Sequence, residues 1–199
     1  MIYIIKLWKL HMKNQVLPYF CPVIFLYLFL LPYHMQLFMD MDEATMIQVF
    51  DSAQKYLVLF EIWFQYLGFR MVLSAELKEV SYSFVKKIKG RWMLANLFFS
   101  FICFLPYVMW MIFHSGAYYG NILTVLVQCV IAAVMTFTVM YIQQSASGGM
   151  AVIVFYFFLC VNHAVPEEFS LVRLGILPVN CLQHWERLLV VSIFMSFFT

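Results

Sequence analysis

Long apolar blocks and short polar breaks alternate along the chain. Between Lys13 and Asp40 no Asp, Glu, Lys or Arg occurs, and from Trp92 to Pro166 there is not one formal charge. A membrane helix needs about 20 mostly apolar residues. The blocks therefore predict spans over about 16–38, 54–73, 92–113, 121–142 and 148–165. "HSGAYYGN" and "QQSASGG" form the polar, glycine-containing breaks between the last three. Pro18, Pro22 and Pro32 are expected to bend the first span or trim its ends. A sixth span is expected over 185–199. Its apolar part, Leu188–Thr199, makes only about 18 Å of helix. It crosses only if Cys181–Arg187 dips into the membrane, or else the chain is truncated or ends within the bilayer.

Two polar segments carry their own periodicity. In residues 1–14, Lys6, Lys9 and Lys13 recur at helical spacing, and Ile5, Trp8 and Met12 follow one position earlier. That pattern predicts an interfacial helix, with Trp8 as aromatic anchor and the lysines at headgroup level. A frayed basic tail is the plainer alternative. In "RMVLSAELKEVSYSFVKKIKGRW", Leu77, Val80, Phe84 and Ile88 form one apolar stripe, with Glu76, Glu79, Lys86, Lys87 and Lys89 off it or at its edge. Ser74 can cap such a helix, Glu76 suits its positive end, and Gly90 can close it. The expectation is a short amphipathic helix over 74–90, wedged between two spans. A positive-inside anchor lying on lipid is the competing reading.

Composition agrees with a membrane class. The chain of 199 residues is 65% hydrophobic and 11% charged, against about 25% charged in a soluble domain. No stretch has ordinary globular composition, which leaves no room for a separate soluble catalytic domain. A net charge of +2 argues against nucleic acid as a partner. The lysine and arginine count sets an orientation. Three lie in the N-terminal segment and six between Arg70 and Arg91, against Lys55, Arg173 and Arg187 elsewhere. The N-terminus and the 74–90 segment are thus expected in the cytoplasm of a multi-pass cell-membrane protein. Cys21, Cys103, Cys129 and Cys160 sit in apolar runs as small hydrophobes. A Cys160–Cys181 disulfide is conceivable, and no Cys/His metal spacing exists.

The order of these parts is similar to the permease subunits of type-2 ABC exporters. The likeness rests on Glu76 and Glu79, Ser81 and Ser83, then Lys86, Lys87, Lys89 and Arg91, then Asn96-Leu97 opening the next span. Phe84-Val85 stands where that family often has a proline. The resemblance implies an all-α, six-span fold with an outer re-entrant segment over 166–184. It also implies a coupling helix carrying Glu76, Glu79, Phe84, Lys86, Lys87 and Lys89. The partners would be a cytoplasmic ATPase subunit and a second permease copy or homologous permease. The permease itself would bind no cofactor, with ATP and Mg handled by the ATPase. This chain contains no GxxxxGK[ST] of its own. A small membrane sensor or immunity-type protein that binds partners laterally is the alternative. An intramembrane enzyme is disfavoured by the absence of HExxH, paired aspartates or a Ser/His arrangement.

Inside the spans, Glu61 stands out, because a carboxyl at that depth is costly and marks a pathway, a dimer seam or a packing contact. Gln65, four residues on, shares its helix face. Asn96, Gln128, Gln143 and Gln144 read as interhelical packing contacts. His34, His114, His163 and His184 fall near the expected outer ends of spans and read as headgroup-level polar caps, with His11 in the N-terminal helix. The 22 Phe and 14 Met residues suit an adaptable apolar passage for a lipid-like or peptide substrate, or simply lipid-facing surface.

Overall fold

The computed structural model describes residues 15–39, 42–72, 89–115, 118–166, 169–172 and 174–175. The expected interfacial helix with Lys6, Trp8, Lys9 and Lys13, the coupling positions Glu76, Glu79, Phe84, Lys86 and Lys87, and the 185–199 span lie outside these residues. Among the described residues the regular structure is entirely helical. We number the helices α1 (Val16–Leu37), α2 (Glu43–Val72), α3 (Lys89–His114), α4 (Tyr119–Gln143) and α5 (Ala146–Val161). Helices α1, α3 and α4 are long and apolar enough to cross a membrane.

Helix α1 has three parts, Val16–Phe25, a wide π turn at Leu26–Leu30, and Leu31–Leu37. Pro22 has no N–H, so it frees the carbonyl of Pro18 four residues earlier. The indole Nε1 of Trp63 on α2 donates to that carbonyl at 3.1 Å. A second tie runs from the Tyr27 hydroxyl to the Cys103 carbonyl of α3 at 2.7 Å.

Helix α2 has 30 residues, about 45 Å at 1.5 Å per residue. It starts at Glu43, well before the expected 54. Asp42 and Glu43 explain the early start: the Asp42 carbonyl takes the Met46 amide, and Glu43 lies in the positive first turn. α2 packs against each of the other four described helices, so the most charged helix is the central one.

The α4–α5 connection is tighter than the sequence suggests. Gln144 takes a left-handed backbone with φ 49°, and Ser145 caps α5 by accepting from the Gly148 amide at 3.2 Å. "ASGG" is thus already helix. Gly149 lets the two helices close, because a Cβ there would lie 2.6 Å from the Met140 Cα. Beyond α5 the described part of the chain folds back on the bundle. Leu171 and Val172 are buried, the Tyr156 hydroxyl donates to the Phe169 carbonyl, and the Gly175 amide donates to both carboxylate oxygens of Asp51 at 3.0 and 2.9 Å.

Helix α3 shows how the bundle is turned relative to a soluble one. Trp92, Asn96, Ser100, Phe104, Tyr107 and Met111 are buried at helical spacing, and Leu94, Phe98, Ile102, Leu105, Met109 and Phe113 are exposed on the opposite side. Asn96, Ser100 and Tyr107 point inward, and the stripe on the opposite side is apolar. Leu17, Phe20, Ile24 and Leu28 form the same kind of outward stripe on α1, and Val152, Phe155 and Phe158 on α5. A water-facing surface has single exposed apolar residues, not continuous rows of them.

Candidate functional site

The buried polar groups gather along α2. Gln54, Glu61, Gln65 and Gly68 are separated by seven, four and three residues, which places them on one helical face. Gln54, Glu61 and Gln65 are fully buried. They meet partners from α3 and α4 at successive depths.

Glu61 is the carboxyl among them. Its Oε1 accepts from Gln65 Nε2 at 2.7 Å, the intrahelical pair expected from the spacing of four. Its Oε2 meets the hydroxyl of Ser100 on α3. The Ser100 hydroxyl also lies 2.8 Å from the Leu97 carbonyl. No ion pair reaches Glu61 from among the described residues, and α1, α4 and α5 contain no Asp, Glu, Lys or Arg at all. On α4, Cys129 lies within range of the Glu61 charge. Burying a carboxyl costs several kcal/mol unless hydrogen bonds offset it.

Two turns toward the start of α2, Gln128 Nε2 of α4 donates to Gln54 Oε1 at 2.9 Å. One turn beyond Gln65, the indole of Trp92 donates to the Gly68 carbonyl at 2.9 Å. The Asn96 side chain lies over Gly68, where a Cβ would fall 1.6 Å from its Nδ2. Glycine at 68 is therefore what lets α3 bring Asn96 against α2. Three oxygens in this interior have no hydrogen-bond partner among the described residues: Gln65 Oε1, Gln128 Oε1 and Thr136 Oγ1. Each such open valence costs about 1–3 kcal/mol in a dry core.

A second polar chain crosses the bundle at its 37–43 end. His34 is fully buried, with Ser52 Oγ 2.6 Å from Nε2 and the Tyr107 hydroxyl 2.6 Å from Nδ1. Ser52 spends its proton on the Gln48 and Val49 carbonyls at 2.9 and 3.0 Å. With the Ser52 proton on either carbonyl, Ser52 accepts from His34 Nε2–H and Nδ1 accepts from Tyr107. The chain links α1, α2 and α3. It corrects the reading of His34 as a headgroup cap, since α2 and α3 run alongside the end of α1 and cover the ring. His114 and His163 are exposed. Next to Ser52, Asp51 is half-buried. Burial raises its carboxyl above the ordinary value, against the opposing pull of the Gly175 amide, Lys55 and His163.

The structure thus brings Glu61 and Gln65 together and adds Ser100, which the sequence reading did not single out. Asn96 and Gln128 sit in the same interior as packing contacts to α2. Lys89 is the first residue of α3. Ser52, Tyr107 and Gln54 were not singled out, and His34 was read only as a headgroup cap. The buried faces of α2 and α3 meet only in the fold, and no local pattern marks which polar residues fall on them. Among the described residues, no group of three or more His, Cys, Asp or Glu side chains stands close enough to hold a metal ion. No family model, curated protein or solved structure matches the chain.

Proposed function

We propose that the chain is a multi-pass membrane subunit of permease type. The observation that carries the reading is the inside-out arrangement: a central helix with a fully buried polar face, enclosed by helices whose outward stripes are apolar. Polar side chains inside a membrane bundle are expensive and tend to face a route or a partner. Glu61 and Gln65 are then the groups that a moving substrate, or a rearrangement of α2 against α3 and α4, would disturb.

The finer reading keeps the ABC exporter resemblance. In it the chain has six spans with its N-terminus in the cytoplasm of the cell membrane, and pairs with a second permease. It moves a hydrophobic, lipid-like or peptide substrate outward, and hydrolyses nothing itself. The coupling element is the 74–90 segment, docked on a separate cytoplasmic ATPase. The clustering of charge supports this. Six of the twelve Lys and Arg residues lie between Arg70 and Arg91, where α2 ends and α3 begins. A lever attached at that point would act directly on the central helix.

The test is extraction of the tagged chain from its native membrane in mild detergent, followed by an ATP hydrolysis assay of the eluate. Hydrolysis is expected with the native chain. It should be lost with Glu79→Lys, Lys86→Glu and Lys87→Glu combined, at unchanged membrane yield. An eluate without ATPase activity from the native chain would overturn the exporter reading in favour of lateral binding without transport.

A further inference from the structure

The Glu61 cluster is built to serve one carboxyl in two protonation states without moving a heavy atom. Ser100 has a single hydroxyl proton and two acceptors in reach, the Leu97 carbonyl and Glu61 Oε2. With Glu61 ionised, Ser100 donates to Oε2. With a proton on Oε2, Glu61 donates to Ser100 and Ser100 turns its own proton to Leu97. Both arrangements satisfy every contact between Glu61 and Ser100. On the other oxygen, Gln65 offers both a donor and an acceptor. Its Nε2 holds Glu61 Oε1, and its Oε1 is fully buried with no partner among the described residues.

That open oxygen is the second, independent sign of a ligand. It sits on the residue bonded to the carboxyl. Two further open valences, Gln128 Oε1 and Thr136 Oγ1, lie on α4, the helix that also carries Cys129. Polar groups of this kind are where water bridges inside proteins. The charged surroundings are simple. On α2 the nearest formal charges along the chain are Lys55 and Arg70, and α1, α4 and α5 carry none. From α3 the facing group is the neutral Ser100, and on α4 the Cys129 thiol lies within range of its charge. Among the described residues, the partners of the Glu61 carboxyl are the neutral Gln65 and Ser100, with no ion pair.

We propose that Glu61, Gln65 and Ser100 form a proton-binding site in exchange with bulk water through the open valences of α2 and α4. A hydronium ion arriving by that route gives its proton to Oε2, leaving water and a neutral carboxylic acid. The reverse step returns the proton to water. The inference rests on the membrane reading of the bundle but requires no ATPase partner, so the exporter reading can fail without it.

The test is infrared difference spectroscopy of the purified full chain in phosphatidylcholine liposomes, between acid and alkaline buffers, in H2O and in D2O. Wild type should show a carboxylic C=O band that titrates with bulk pH, shifts within minutes of transfer to D2O, and is lost in Glu61→Gln. Ser100→Ala keeps the carboxyl and removes its partner. The same band should still titrate but move in frequency, which assigns it even where Glu61→Gln fails to accumulate. A Glu61 band insensitive to pH and to D2O would overturn the proposal, since the carboxyl would be sealed from water. Superimposable spectra for wild type and Glu61→Gln, or a band frequency unmoved by Ser100→Ala, would overturn it as well.

Discussion

Gly149→Ala tests the close backbone approach of α5 to α4. A Cβ at 149 would lie 2.5 Å from the Met140 Cγ, 2.6 Å from its Cα and 2.9 Å from its backbone N. Carbon atoms in contact settle at about 3.5–4.0 Å. The Cγ can turn away, but the two backbone atoms cannot, so α5 must withdraw from α4 by about 1 Å. Alanine in place of a helical glycine gains about 0.5–1 kcal/mol of backbone entropy. Against this stands the overpacking cost of about 1–3 kcal/mol. The withdrawal also loosens Ile153, Phe157 and Cys160, which share the buried face of α5 with Gly149. A radial gap of about 1 Å forfeits roughly a quarter to a half of each dispersion contact. The losses outweigh the gain, and we expect a net cost of about 1–3 kcal/mol.

Two buried thiols report the opening. Cys129 on α4 and Cys160 on α5 are free and almost fully buried. In a background of Cys21→Ser, Cys103→Ala and Cys181→Ser, only these two can react with a maleimide dye. If labelling follows the open population, 1–3 kcal/mol raises its rate by roughly 5- to 150-fold, and the melting temperature in detergent falls in parallel. Gly120→Ala is the control. Its Cβ meets nothing within 4 Å, so its labelling should match the parent and its melting temperature should hold or rise slightly. Parental labelling and melting for Gly149→Ala would refute the close approach of α4 and α5, and with it the reason for glycine at this position.

Two further outcomes follow from the polar ties at the 37–43 end. Tyr107→Phe removes the hydroxyl bonded to His34 Nδ1 and keeps the ring. It should cost about 1–3 kcal/mol by leaving that nitrogen buried and unpartnered, read as a lower detergent melting temperature. Tyr33→Phe, at an exposed tyrosine on the same helix as His34, should change nothing. Asp51, outside the 54–73 span, gives a pH signature. Its carboxyl is raised above 3.8 by burial, so between 3.8 and its raised value the folded chain keeps a proton that the unfolded chain has released. Stability contributed by this group therefore falls as pH rises through that window. Asp51→Asn keeps an acceptor for the Gly175 amide and should flatten this part of the melting-temperature profile against pH. An unchanged slope would show that Asp51 does not supply it.

Some of this was legible along the chain, because the signals are local. Apolar length marked α1, α3 and α4, since a run free of charge reports lipid-scale hydrophobicity without any partner. A spacing of four put Glu61 and Gln65 on one face, because helix geometry alone sets that. The limits of α2 and the shape of the α4–α5 turn were less visible. They depend on Asp42 and Glu43 at one helix start and on Ser145 and Gly149 at another, where a cap and a close approach outweigh composition. The site itself was decided only by tertiary structure. Ser100 is 39 residues from Glu61, Gln128 is 74 from Gln54, and Tyr107 is 73 from His34. Nothing in the local pattern of α3 or α4 says which buried polar residue will face which. That choice is made when Gly68 admits Asn96 and when Trp63 takes the carbonyl that Pro22 releases. Those contacts set how α1 and α3 lie on α2, and so bring one buried carboxyl and one buried imidazole to their partners.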